Sequence, residues 1–124
     1  MTAVSARQQA LDVADQLHVM GLVEVGRFFG GAGLAIDGRQ FGFVMKGDLY
    51  LRVDDRSRPD FENRGEGPFT YQTRYRTVTV ASYYRVPDDV AASPGELARW
   101  AAEAVRAARA ARAARRERGG PAAR

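Results

Sequence analysis

Few places in this sequence carry side chains or backbone patterns that could do chemistry. The glycine run Gly30-Gly31-Ala32-Gly33 could cradle a phosphate on backbone N–H groups. A phosphate loop, however, opens a helix and usually brings lysine with serine or threonine. Here a strand-like run follows and no lysine does, so a bulge or sharp bend entering a sheet is the expected use. His18 is the only histidine, and a triad or zinc site would need a nucleophile or further ligands beside it. Its position at the end of a predicted helix gives it a structural role, a cation at the negative end of the dipole. Asp54-Asp55 and Asp88-Asp89 are paired acids, each preceding a predicted helix, where carboxylates are stabilised without any catalytic duty. No catalytic, cofactor-binding or metal-binding residue is therefore expected. The absence of cysteine excludes disulfides, thiolate catalysis and cysteine-based zinc sites.

Two other constellations point to recognition. Tyr71, Tyr75, Tyr83 and Tyr84 interleave with Arg74, Arg76 and Arg85. Aromatics and arginines on a sheet can stack bases, cover a half-exposed face, or form a partner contact, because both residue types are enriched at interface hot spots. The residues proposed for partner contact are Arg27, Tyr50, Arg52, Tyr71, Tyr83 and Arg85. Near the C-terminus Arg106, Arg109 and Arg112 recur every three residues, followed by Arg115 and Arg116. On a helix they would make a broad basic surface, able to neutralise phosphates in a sequence-independent, salt-sensitive manner. From Glu103 onward seven arginines face two glutamates, so the basic pI of about 10.0 belongs to this tail and not to the body. The single lysine, Lys46, and the abundance of alanine fit the coding bias of a GC-rich genome, in which a solvated arginine-rich helix end is the plainer reading.

These residues need a frame, and the stretch Phe28–Val53 supplies it. Three short apolar runs, about 31–37, 40–46 and 49–53, are separated by Asp37-Gly38 and Gly47-Asp48. Such dipeptides between strand-like runs predict tight antiparallel hairpins, since glycine takes positive φ without steric cost. In this meander Leu34 and Ile36 should share a face, as should Phe41, Phe43 and Met45, and Leu49, Leu51 and Val53. Residues 22–28 read only as a short extended entry to the sheet. Two more strands are expected at about 69–74 and 77–85, the last stopped by Pro87.

Three helices complete the reading. Ser5 to Gln8 can form a capping box ahead of a helix over 5–18, with Ala10, Val13, Ala14 and Leu17 on one stripe. Ser57 can cap a short helix containing Pro59 and anchored by Phe61, with Gly65 as its stop. Ser93-Pro94-Gly95-Glu96 opens a helix from 94 to about 117, with Leu97, Trp100, Ala101, Ala104, Val105 and Ala108 on one stripe and its first half, with Leu97, Trp100 and Val105, docking on the sheet. Its second half has nothing larger than alanine to bury and should project or fray, and the last residues should be disordered. The fold class is therefore α+β: a two-layer, five-stranded antiparallel sheet with helices on one face, ordered α-β3-α-β2-α. The 124 residues divide into a domain over 1–108 and a basic Ala/Arg-rich tail over 109–124. No signal-type or membrane-spanning run is evident, so a soluble cytoplasmic protein is expected.

Six segments in order also resemble one family. They are Arg27–Leu34, Phe41–Val44, Leu49–Asp54, Arg58–Phe61, Pro68–Tyr71 and Ser82–Pro87, followed by the closing helix with Trp100. Together, over about residues 8–108, they resemble the N-terminal domain of the TfoX (Sxy) competence regulators. The resemblance implies a two-layer fold like the type III secretion chaperones and a non-enzymatic protein-interaction module. It also implies a place in competence-type transcriptional control, where the full-length regulators act alongside the cyclic-AMP receptor protein and carry a second domain. This chain is expected to be a stand-alone form. Family members commonly have arginine where this chain has Gly26, and methionine or leucine where it has Phe28; Arg27 is the nearest candidate for the contact such an arginine would make. The expected partner is a protein or a second copy of the chain, with nucleic acid as the alternative, no cofactor and no membrane.

Overall fold

The computed structural model describes residues 5–119, with the side chains of residue 112 and of 114–119 outside that description. The expectation of disorder at the extreme C-terminus therefore lies outside the described residues. The elements run α1 (Ala6–Gln16), a 3-10 turn (His18–Met20), β1 (Glu24–Phe28), β2 (Gly31–Ile36), β3 (Arg39–Met45) and β4 (Asp48–Arg52). Then follow α2 (Arg58–Glu62), β5 (Pro68–Gln72), β6 (Thr77–Arg85), α3 (Asp88–Ala91) and α4 (Pro94–Gly119).

All pairings are antiparallel, and the sheet has six strands in the order β1-β2-β3-β4-β6-β5. The sixth strand is the segment read as an entry: β1 pairs with β2 over its whole length, from Glu24↔Ala35 to Phe28↔Gly31. It was obscured because Gly26 and two charged residues dilute its alternation.

The meander is built on three two-residue turns, Phe29-Gly30, Asp37-Gly38 and Lys46-Gly47, with every central residue at positive φ. That is the backbone that matches the right-handed strand twist. The second expected turn thus sits one residue earlier than Gly47-Asp48, and Asp48 opens β4. The glycine run at 30–33 is a turn followed directly by a strand, with no helix behind it to hold a phosphate.

One face of the sheet carries the helices. Ala32, Leu34, Ile36, Phe41, Val44, Leu49, Leu51 and Val53 meet Ala10 and Leu17 of the α1 segment, Phe61 of α2, Val90 of α3, and Leu97, Ala101, Ala104, Val105 and Ala108 of α4 in a single core. Phe61 and Trp100 pack edge to face at 4.7 Å. Docking of α4 runs through Ala107 and Ala108, beyond the expected Val105. Two caps differ in detail from expectation. Ser5 Oγ accepts the Gln8 N–H at 3.1 Å, but the Gln8 side chain turns to Asp12. Ser57 makes no side-chain cap to α2; its hydroxyl accepts the Asp54 N–H at 3.1 Å.

The strict alternation expected for Phe41, Phe43 and Met45 fails at a bulge. The register steps from Leu34↔Gly42 to Ala35↔Gln40, leaving Phe41 as an extra residue. A bulge resets which side chains point where. Phe41 stays with the helix-side core, while Phe43 and Met45 belong to a second cluster on the opposite face.

Candidate recognition surface on the open face

The second cluster explains why the face away from the helices is not bare. Phe43 and Tyr83 are buried there with Phe69, and Phe28, Met45, Tyr50 and Val80 pack around them. The Phe43 ring lies 4.5 Å from Phe28, 5.0 Å from Tyr50, 5.0 Å from Phe69 and 5.1 Å from Tyr83, centroid to centroid. These separations fall in the favourable range for aromatic pairs.

Phe69 reaches this cluster because β5 and β6 form an arm that leaves the sheet. β4 pairs with β6 only at residues 83–85, while residues 77–80 pair only with β5. Between Pro68↔Tyr84 and Phe69↔Val80 the register slips, and a slip of this kind bends the strands. Phe69 therefore lands on Phe43 and Tyr50, and Tyr71 stacks with Phe29 from the far edge of the sheet. The arm acts as a strap across the open face. Its tip is ordered by Thr73, whose hydroxyl accepts the N–H of Tyr75 (3.2 Å) and of Arg76 (3.1 Å).

Strap and sheet enclose a cleft of about 480 Å³ lined by Phe29, Met45, Lys46, Asp48, Tyr50, Phe69, Thr70, Tyr71 and Gln72. Phe29 is 78% exposed at its rim and Tyr71 is 42% exposed. Burial, with help from the Asp48 charge, pushes the Tyr50 phenol above its ordinary value, so it stays neutral.

The sequence-predicted contact residues divide accordingly. Tyr50 and Tyr71 line the cleft. Tyr83 is buried, donating from its hydroxyl to the Gln40 carbonyl at 3.3 Å, with the Arg52 guanidinium 5.5 Å over its ring. Arg27 is exposed on edge strand β1. Arg85 is committed to carboxylates: Asp48 at 3.1 Å, Asp88 at 2.8 Å and Glu66 at 3.3 Å. These hold its ionisation well above the usual arginine range, hydrogen bonding to Asp48 foremost. Sequence reasoning missed Phe29, Met45, Lys46 and Phe69 as members of one site. A large apolar residue and a lysine each placed before glycine at a hairpin turn was the available signal; the strap that completes the site was not legible.

The other candidates fall into structural places. Nδ1 of His18 donates to the Asp15 carbonyl at 2.8 Å, next to the end of α1. Asp55 pairs with Arg58 and Asp89 with Arg64, at 2.7 and 2.6 Å. Asp54 receives a two-pronged bond from Arg106, at 2.8 and 2.9 Å, across 52 residues. Those bonds, opposed by burial and aided by the Ser57 and Arg56 N–H groups, hold the Asp54 carboxyl far below the usual carboxylate range. Arg106 is thus a clasp between α4 and the loop after β4 and not a free member of the basic tail. Arg109 is 3.8 Å from Asp37 and more than half exposed. Arg112, Arg115 and Arg116 lie on α4 with side chains outside the description. The Asp37 contact puts Arg109 at the end of the sheet opposite the cleft. Along the six residues of β2 that separation is about 20 Å at ~3.3 Å per residue.

Among proteins of known family, the TfoX N-terminal domain model matches residues 15–108. No curated protein matches the chain. Among the described residues no helix is long and apolar enough to cross a membrane.

Proposed function

The chain belongs to the TfoX N-terminal domain family, and on that footing we propose that it is a non-enzymatic protein-interaction module serving transcriptional control of the competence type. Its contact surface is the open face with its strap. The observation that carries this reading is the exposure of Phe29 and Tyr71 at one aromatic cleft, with Tyr75 exposed at the tip of the strap, the composition of an interface anchor site. The ionisable groups support it from the other side. Arg58, Arg64, Arg85 and Arg106 are spent on structural ion pairs with Asp55, Asp89, Asp48 and Asp54, not aimed together into a cavity.

The test combines light scattering with affinity capture, using the wild type beside a Tyr71→Asp, Tyr75→Asp variant. The expected result is a defined self-association or partner that the variant loses while its circular dichroism stays native. A strictly monomeric chain that captures nothing, or capture indifferent to the variant, refutes the reading.

A second reading is nucleic-acid binding by the tail. It is favoured by the helical state of α4 through Gly119 with Arg109, Arg112, Arg115, Arg116 and Arg118 along it. Replacing these five by glutamine should abolish binding to duplex DNA and its salt dependence. Unchanged binding, or none in the parent, removes this reading.

A further inference from the structure

The geometry of the cleft points to a ligand of its own. We infer that it binds a free nucleotide: a planar heteroaromatic ring clamped between Phe29 and Tyr71, with its phosphate on Lys46. The two rings are nearly parallel, 27° apart, with centroids 6.4 Å from each other. Carbon atoms pack best at about 3.5 Å, so a flat ring between two others needs about 7 Å. The clamp is within a small opening of that distance. The two rings stack loosely on each other at this separation, so a ligand ring takes the place of that contact, and both remain open to solvent.

The rest of the cleft fits the same ligand. Met45, Tyr50 and Phe69 give an apolar floor. The volume of about 480 Å³ lies within the range of small-ligand sites, roughly 300–1,000 Å³. Lys46 stands at the lip with no acidic partner among the described residues, whereas Asp48 beside it is held by Arg85. A ligand anion thus meets one cation without an acidic partner among the described residues, with Asp48 beside it sharing Arg85 with Glu66 and Asp88. Thr70 and Gln72 also line the cleft on β5, an edge strand, whose outward backbone groups can hydrogen-bond the edge of a base.

The backbone turns bring the two side chains to the same place. Phe29 and Lys46 both sit at positive φ, 45° and 51°, a conformation unfavourable for side chains of this size. Both belong to turns at the same end of the sheet, one from each neighbouring hairpin. Asp37 has the same conformation in the turn at the other end of the sheet, so that conformation belongs to the turn type, and what these two turns contribute is the placement of both side chains at one cleft. The site also gives the strap a means of control, because a ring held by Phe29 and Tyr71 ties the arm to the far edge of the sheet. This goes beyond the interaction reading and stands or falls without it.

The test is a titration of the full-length, isotope-labelled chain with adenosine 5′-monophosphate, followed by amide chemical shifts. Adenosine, ribose 5-phosphate and a single-stranded oligothymidylate are run beside it. Saturable shifts are expected at Phe29, Lys46 and Tyr71. Adenosine should bind a few-fold more weakly, for want of the Lys46 contact, and ribose 5-phosphate should leave the cleft unperturbed. Phe29→Ala and Tyr71→Ala should each weaken binding about tenfold, with Phe29→Tyr and Tyr71→Phe restoring it; these positions are exposed enough that the fold should survive. The proposal is overturned by any of four outcomes: no saturable shift at millimolar nucleotide, shifts confined to the arginine tail, binding undiminished in both alanine variants, or binding of the oligothymidylate alone.

Discussion

Phe43→Ala is the sharpest probe of the open face. The ring is fully buried and touches four other aromatic rings at 4.5–5.1 Å. Truncating a buried phenylalanine costs about 3–5 kcal/mol, through lost transfer energy and the cavity left behind. Four ring neighbours keep Phe43 off the lower end of that range, at about 4 kcal/mol. At roughly 4 °C per kcal/mol for a chain of this size, the melting temperature should fall by about 15 °C. Urea denaturation gives the free energy, and native-state hydrogen exchange gives its location. Amides of the strap, such as Thr70, Tyr71, Thr79 and Val80, should lose protection, while α1 and α4 keep theirs. Phe41→Ala, two residues away but on the helix side, should do the reverse. If Phe43→Ala loosened α4 and left the strap protected, or cost under 1 kcal/mol, the assignment of Phe43 to a separate second core would be wrong.

Other expectations concern single contacts. A Cβ on Gly31 would lie 2.2 Å from the Val44 carbonyl oxygen, so Gly31→Ala should destabilise by about 2 kcal/mol by overpacking. Gly26→Ala meets nothing within 4 Å and should be neutral or slightly stabilising in the same urea titration. Asp54→Asn should cost about 2 kcal/mol at neutral pH, because a charged two-pronged bond to Arg106 is lost. The sign of its pH dependence follows from the lowered carboxyl ionisation. The unfolded carboxylate takes up its proton near the ordinary value of about 4, the folded one only at lower pH, so this contribution is present above about pH 4 and drains away below it. Acid titration of stability should therefore be shallower in Asp54→Asn than in the parent, and equal slopes would rule out the clasp as a source of acid sensitivity. Arg85→Ala leaves Asp48, Glu66 and Asp88 facing one another, so its destabilisation should shrink on acidification.

What could be read without coordinates was whatever depends on neighbours a few residues apart. Asp37-Gly38 located one hairpin and Gly47 another to within a residue, because positive φ is a local requirement. The stripe from Leu97 to Ala108 marked the docking face of α4 because helical spacing is local too, and the α+β layering followed from the order of such segments. Of the residues singled out for partner contact, Tyr50 and Tyr71 line one cleft while Arg85 is tied to carboxylates, and Arg106, singled out for nucleic acid, is tied to a carboxylate 52 residues away. Tertiary structure alone decided the rest. One extra residue at Phe41 sends Phe43 to the other face, and one slip at Pro68/Phe69 lays the β5–β6 arm across it. A bulge leaves the sequence pattern almost unchanged while reversing every side chain beyond it. The aromatic cleft therefore exists only once strands distant in sequence have chosen their register.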